Sequence, residues 1–168
     1  MSTVHLRLKE NSYRIVIGSR ILPRLGKALK SLDIGQDAVI VTNPLIYKKH
    51  GPALASGLKQ SGFSIKVFLV PDGEQSKSAR EAFSLMGKIA AYDVKRKVFV
   101  IALGGGVVGD LAGYVAAAYK RGIPYVQVPT TLLAQIDSAI GGKVAIDLPM
   151  GKNLVGAFHQ PRLVWSDV

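Results

Sequence analysis

The chain has 168 residues, 48% apolar, 20% charged and 7% aromatic, with 18 glycines and no cysteine. This suffices for one domain with its own core, and it excludes a disordered chain, a collagen-like repeat, a coiled coil, disulfides and thiolate chemistry. The formal net charge of +11 raises nucleic acid or an acidic membrane as partners until its distribution is known.

In chain order, residues 3–8 alternate apolar and polar side chains, and residues 13–18 follow a Glu-Asn-Ser turn, which predicts an N-terminal β-hairpin. Residues 21–32 have helical spacing, with Pro23 in the first turn where proline is tolerated. A buried strand over 38–42 leads to a helix over 44–60 that pauses at Gly51-Pro52, then to a strand over 65–70. Ser78 and Glu81 have the spacing of a capping box and open a helix to Tyr92. Residues 98–103 form an apolar, β-rich run too short for a helix. Residues 107–119 read as a helix, 125–128 as a strand and 130–139 as a helix. Short closing strands are expected at 144–146 and 163–165. Strands alternating with helices predict one α/β layer domain over residues 1–168, with right-handed crossovers and a mainly parallel sheet.

The charge excess belongs to residues 1–66, which hold eleven basic and three acidic side chains, against eleven and eight in residues 67–168. These cations are dispersed and no aromatic residues interleave with them, so they read as a solvated face and not as a nucleic-acid platform. Residues 98–119 carry one charge, Asp110, but their glycines are poor material for one membrane-spanning helix. The N-terminus has no apolar core of the kind a secretory signal needs, so a soluble, cytoplasmic protein is expected.

Gly104-Gly105-Gly106-Val107-Val108-Gly109 satisfies G-x-G-x-x-G between a strand and a helix. Residues without Cβ admit a phosphate to the backbone, and free N–H groups at the helix start bind it. A dinucleotide fingerprint also wants an acidic residue about 20 positions on, and residues 125–129 contain none. The turn therefore reads as a phosphate-binding turn outside the ordinary fingerprint, or as tight strand-to-helix packing. The loop with Asp72, Gly73, Glu74, Gln75 and Lys77 suits ribose hydroxyls or a phosphate, or is a surface turn before a capped helix. Thr130 and Thr131 either cap a helix or reach a cofactor. Lys143 and Lys152 stand beside glycines in an apolar region, with Asp137 and Asn153 near them. Cations there call for an anion or a carboxylate. His5, His50 and His159 have no i, i+4 partner, so no metal site is expected within this chain.

Four motifs occur in order: PDGEQSKS, LGGGVVGDLAGYVAAAYKRG, VPTTLLAQIDSAIGGKVAID and GKNLVGAFHQP. Together, over about residues 71–161, they resemble the 3-dehydroquinate synthase family of sugar-phosphate cyclases; the first 70 residues agree only in layout. The resemblance implies a Rossmann-like, NAD-binding fold. It also implies a lyase of the shikimate pathway that converts 3-deoxy-D-arabino-heptulosonate 7-phosphate to 3-dehydroquinate and phosphate. That reaction runs by transient oxidation, phosphate elimination, re-reduction and aldol closure. Residues matching the family's NAD contacts are Asn43, Asp72, Gly73, Glu74, Gln75, Lys77, Gly105, Gly106, Val107, Asp110, Thr130, Thr131, Lys143 and Lys152. Asp137, Lys143 and Asn153 match substrate-binding positions. Arg121 matches an arginine that reaches the substrate of the neighbouring subunit, which requires a homodimer. The family's metal ligands lie in a helical C-terminal half. Zinc or cobalt is therefore expected only with that half, and this chain alone is expected to be inactive. Two other readings are a cyclitol-forming cyclase and a non-catalytic nucleotide- or nucleic-acid-binding module.

Overall fold

In the computed structural model, which describes residues 1–168, β1 (Ser2–Leu6) and β2 (Tyr13–Gly18) pair antiparallel, as the alternation predicts. The helix expected over 21–32 is divided into a 3-10 turn, Leu22–Arg24, and α1 (Leu25–Lys30). The Leu22 N–H is held by Asp167 Oδ2 at 2.8 Å, which fixes the turn before the helix begins. β3 (Asp37–Thr42) leads to α2 (Pro44–Gln60), whose first turn is capped by Asn43 Oδ1 accepting from the Ile46 N–H at 2.8 Å. The pause expected at Gly51-Pro52 does not occur: Pro52 lies inside α2 on its exposed side, where the bond it removes faces solvent.

β4 (Ser64–Leu69) is followed by α3 (Ala79–Tyr92), capped by Ser78 through the Glu81 N–H. β5 (Val98–Gly104) turns through Gly105 into α4 (Gly106–Ala118), and β6 (Tyr125–Pro129) follows. β7 (Lys143–Leu148) and β8 (Gly151–Phe158) form a separate antiparallel pair, and β9 (Leu163–Asp167) closes the chain. Two expectations change here. The helix over 130–139 is a short helical turn with a π segment at Ala134–Ser138. The strand at 144–146 joins β8, which the sequence did not announce, and not the main sheet.

The seven-stranded sheet has the order β1-β2-β9-β6-β5-β3-β4, parallel except for β1. Its central strands are buried on both faces, as a parallel sheet between two helix layers requires. Ala38, Ile40, Phe99, Ile101 and Leu103 face Leu25, Leu29, Leu54 and Leu58 of α1 and α2. Val39, Val41, Val98, Val100 and Ala102 face Leu85, Ile89, Leu111 and Val115 of α3 and α4. Each fully buried Val, Leu, Ile or Phe among them contributes about 1.5–3 kcal/mol. After β3 the chain moves outward to β4 over α2. After β5 it moves the other way to β6 over α4. The loops that follow β3 and β5 therefore diverge, opening the crevice where open α/β sheets bind ligands. No helix is long and apolar enough to cross a membrane.

Candidate functional site

The sequence-predicted residues converge at the carboxyl ends of β3, β4, β5 and β6. Gly105 carries no side chain to cap α4, so the first N–H groups of that helix are left for a ligand, with the positive end of the helix dipole behind them. The turn is crowded on its inner side. A Cβ on Gly105 would lie 3.2 Å from the Thr131 methyl, and one on Gly106 would lie 3.0 Å from Ser138 Oγ. Both the phosphate reading and the close-packing reading of the glycines thus have a physical basis at the same turn.

Of the two roles left open for Thr130 and Thr131, capping falls to Thr131. Thr131 Oγ1 accepts from the Ala134 N–H at 3.3 Å and caps the short helical turn. Thr130 Oγ1 is buried and has no hydrogen-bond partner in the protein, while its backbone N–H bonds to Gly104 O at 2.9 Å. A buried hydroxyl left unpaired costs stability unless something binds it.

Beside this turn opens a cleft of about 680 Å³ lined by Asp110, Asp137, Ser138, Lys143, Asn153 and the apolar side of the β7–β8 pair, Phe158 included. Lys143 and Asp137 are both exposed within it. Asp110, in the first turns of α4, is held above the usual carboxylate range by burial, while Lys77 pulls in the opposite direction. The Lys77 ammonium bonds both Asp110 and Asn153. On the loop after β4, Asn43 Nδ2 donates to Asp72 Oδ1 at 2.7 Å, so the residue that caps α2 also braces that loop. Gly73 has φ +90, a conformation that favours glycine. Lys152 pairs with Glu74 at 3.2 Å on the open surface, where such a pair contributes little. Gln75 and Val107 stand exposed and half-buried on the same rim.

Arg121 is the one member placed elsewhere. It lies past the far end of α4, about 20 Å along the helix from the glycine turn. Lys120 and Arg121 have φ +50 and +64, and the turn is held by Asp93, which accepts from the Tyr119 hydroxyl at 3.0 Å and binds the Lys120 ammonium. His159 has a packing role. Its ring stacks on Tyr125 at 5.2 Å, its Nε2 meets Ile123 O, and its carbonyl accepts from the Tyr125 hydroxyl. No three His, Asp or Glu side chains gather to hold a metal ion.

Sequence reasoning did not single out Asp147 and Ser138, which join the site through the β7–β8 pair and the π segment. Asp147 stands in a quoted motif, but nothing in the spacing shows that it bonds Asn153.

Residues 67–168 match the family described as 3-dehydroquinate synthase N-terminal. The 3-dehydroquinate synthase of Pelotomaculum thermopropionicum is 47% identical over 168 residues, all of this chain and 45% of the relative. That of Symbiobacterium thermophilum is 50% identical over 164 residues, 97% of this chain and 46% of the relative. Among solved structures, a 2-deoxy-scyllo-inosose synthase superposes with a TM-score of 0.90 at 26% identity, over 99% of this chain and 47% of that one. A 2-epi-5-epi-valiolone synthase from Streptomyces hygroscopicus, with NAD+ and Zn2+ bound, gives 0.82 at 31% identity, over 96% and 44%. A glycerol dehydrogenase from Schizosaccharomyces pombe shares the fold at 21% identity and a TM-score of 0.74.

Fold and comparisons thus define a Rossmann-like domain of the sugar-phosphate cyclase kind, with a crevice at the strand ends. Within that class, the chain belongs to the 3-dehydroquinate synthase family and corresponds to its N-terminal domain. It spans about half the length of the curated relatives it matches.

Proposed function

We propose that this chain is the NAD-binding half of a 3-dehydroquinate synthase. It acts with a helical, metal-binding C-terminal half on 3-deoxy-D-arabino-heptulosonate 7-phosphate to release 3-dehydroquinate and phosphate. The observation that carries the reading is the unpaired, buried Thr130 hydroxyl beside a side-chain-free helix N-terminus, opening onto a cleft with Lys143, Asp137 and Asn153. A dinucleotide fits these groups. The N–H groups of Gly106 and Val107 suit its pyrophosphate, Asp110 and Thr130 its ribose and diphosphate oxygens, and the Asp72–Lys77 loop its adenosine.

When bound, NAD supplies a reversible hydride acceptor, so the net reaction is elimination without redox change. Lys143, exposed in the cleft, attracts the substrate carboxylate. Asp137 and Asn153 offer hydrogen bonds that orient its hydroxyls. Arg121, far from its own cleft, reaches the phosphate of a substrate in the second subunit of a homodimer. The residues of this chain do not fit a metal site, since no three His, Asp or Glu side chains gather to hold one. The identity of 44–50% to 3-dehydroquinate synthases, against 26% and 31% to cyclitol-forming cyclases, favours the first substrate over theirs.

Calorimetric titration with NAD and NADP, followed by a phosphate-release assay with and without an added C-terminal half, tests the proposal. NAD binds more tightly than NADP, because Asp72 and Glu74 repel a 2′-phosphate, and turnover appears only with both halves. Phosphate release by this chain alone, or salt-sensitive binding to random duplex DNA with no response to NAD, refutes the reading.

A further inference from the structure

Lys143 pairs with no carboxylate of the chain, so the reach of its flexible four-carbon stem is set by the backbone that carries it. That backbone begins with two left-handed residues, Gly141 at φ +89 and Gly142 at φ +70. Three hydrogen bonds from other elements hold them. The Gly141 N–H donates to the Tyr13 hydroxyl oxygen at 3.1 Å, and Gly141 O accepts from Gln160 Nε2 at 3.0 Å. Gly142 O accepts from the His159 N–H at 2.8 Å. A Cβ on Gly142 would lie 2.7 Å from Gln160 Cδ, so the Gln160 amide rests directly on that glycine. Tyr13 is itself fixed. It is 4% exposed and sits in a small core with Ile15, Val164 and Ala139, against which Ile140 packs. Its strand, β2, is paired on both sides, with β1 and with β9.

We propose that Tyr13 is a positioning residue for Lys143: its hydroxyl pins the Gly141 amide to the sheet and so aims the lysine into the cleft. Lys143 is the one cation that lines the cleft, and Tyr13 does not line it. The first hairpin therefore shapes the site from outside it, through a single acceptor oxygen. Functional side chains keep their geometry when the residues behind them are locked by packing and hydrogen bonds. A strand bonded on both sides supplies that rigidity, whereas two glycines in sequence do not supply it themselves. The hold on Gly141 stands on geometry alone; that Lys143 meets the substrate carboxylate rests on the function proposed above. On that reading, Tyr13 tunes recognition of the carboxylate in particular and leaves the dinucleotide side of the crevice alone.

The test uses Tyr13→Phe, which fills the same buried space and removes only the acceptor. Gln160→Met, which frees the same glycine from its other side, is the second variant should the first fail to fold. Amide hydrogen exchange on this chain reads the hold. The Gly141 amide exchanges at least about fivefold faster in Tyr13→Phe, while the amides of β2, β5 and β6 are unchanged. In the chain combined with its C-terminal half, kinetics read the aim of Lys143. The KM for the phosphorylated sugar acid rises about fivefold with kcat within about twofold, as expected when a binding contact is lost. The inhibition constant of a sugar phosphate lacking the carboxylate stays the same, a split that a general loosening of the fold does not produce. Unchanged exchange at Gly141, faster exchange throughout the sheet, or equal weakening of both ligands overturns the proposal. If the unmodified protein with both halves does not turn over the sugar acid, the functional reading fails, while exchange at Gly141 still decides whether Tyr13 holds the segment before Lys143.

Discussion

Replacing Thr130 by valine separates the folding role of that residue from its ligand role. The two side chains have nearly the same shape, so the substitution removes one hydroxyl and leaves the packing in place. In the free protein that hydroxyl is buried with no partner, and an unsatisfied buried polar group costs about 1–3 kcal/mol. Thr130→Val therefore stabilises the ligand-free chain by about 1 kcal/mol or more, read as a higher urea midpoint at unchanged slope. On the proposed function the same change removes a hydrogen bond to the dinucleotide, worth about 0.5–1.5 kcal/mol net, so NAD binds about two- to tenfold more weakly by calorimetry. Stability and affinity move in opposite directions. A destabilised variant, or one that binds NAD as well as the parent, refutes the assignment of Thr130 to the cofactor.

Other substitutions probe the supports of the cleft. Gly113→Ala places a Cβ 2.3 Å from Val144 Cγ1, so α4 and β7 must part by about 1 Å. Overpacking of about 1–3 kcal/mol, offset by about 1 kcal/mol of helix propensity, leaves a modest stability loss, whereas on the proposed function misplacing Lys143 and Asn153 costs up to about 100-fold in turnover of the chain combined with its C-terminal half. Gly87→Ala on α3, where a Cβ meets nothing within 4 Å, is the control and gains about 0.5–1 kcal/mol. Asp93→Ala lowers the Tm and speeds amide exchange at residues 119–122 without changing NAD affinity, since it releases the Tyr119–Arg121 turn and leaves the crevice alone.

Asp110 also predicts a pH dependence. A carboxyl whose folded pKa is raised favours the folded state fully below its ordinary value of about 3.9 and loses that contribution as pH rises through the folded value. Lys77→Met removes the opposing charge and raises the Asp110 pKa further. Its stability loss is thus smaller near pH 4 and larger at pH 7 in urea titrations; a loss independent of pH contradicts the pairing.

The sequence exposes features that rest on local pattern and hides those that rest on distant partners. The run from Val98 to the glycine turn and α4 is legible because both faces of β5 are buried and its apolar run is continuous. β8 is not legible, because none of its residues is buried and no alternation marks it. The apolar spacing at Leu132, Leu133 and Ile136 suggests a longer helix, yet all three face solvent. With no tertiary packing to prolong it, the turn ends in a π segment. Lys77 stands in a ligand-like loop, but its partners lie on other elements, and no local spacing announces them.

The place of β9 in the sheet bears on how the chain is made. β9 lies between β2 and β6, and Arg14 pairs with Leu163. Until residues 163–167 leave the ribosome, the first hairpin has no neighbour in the sheet, and β6 offers an open edge. The two parts of the sheet join only once β9 has been made, across the long loop between Arg14 and Leu163. Truncation before Leu163 thus leaves two unpaired strand edges in the nascent protein, a state open to aggregation and to chaperone capture.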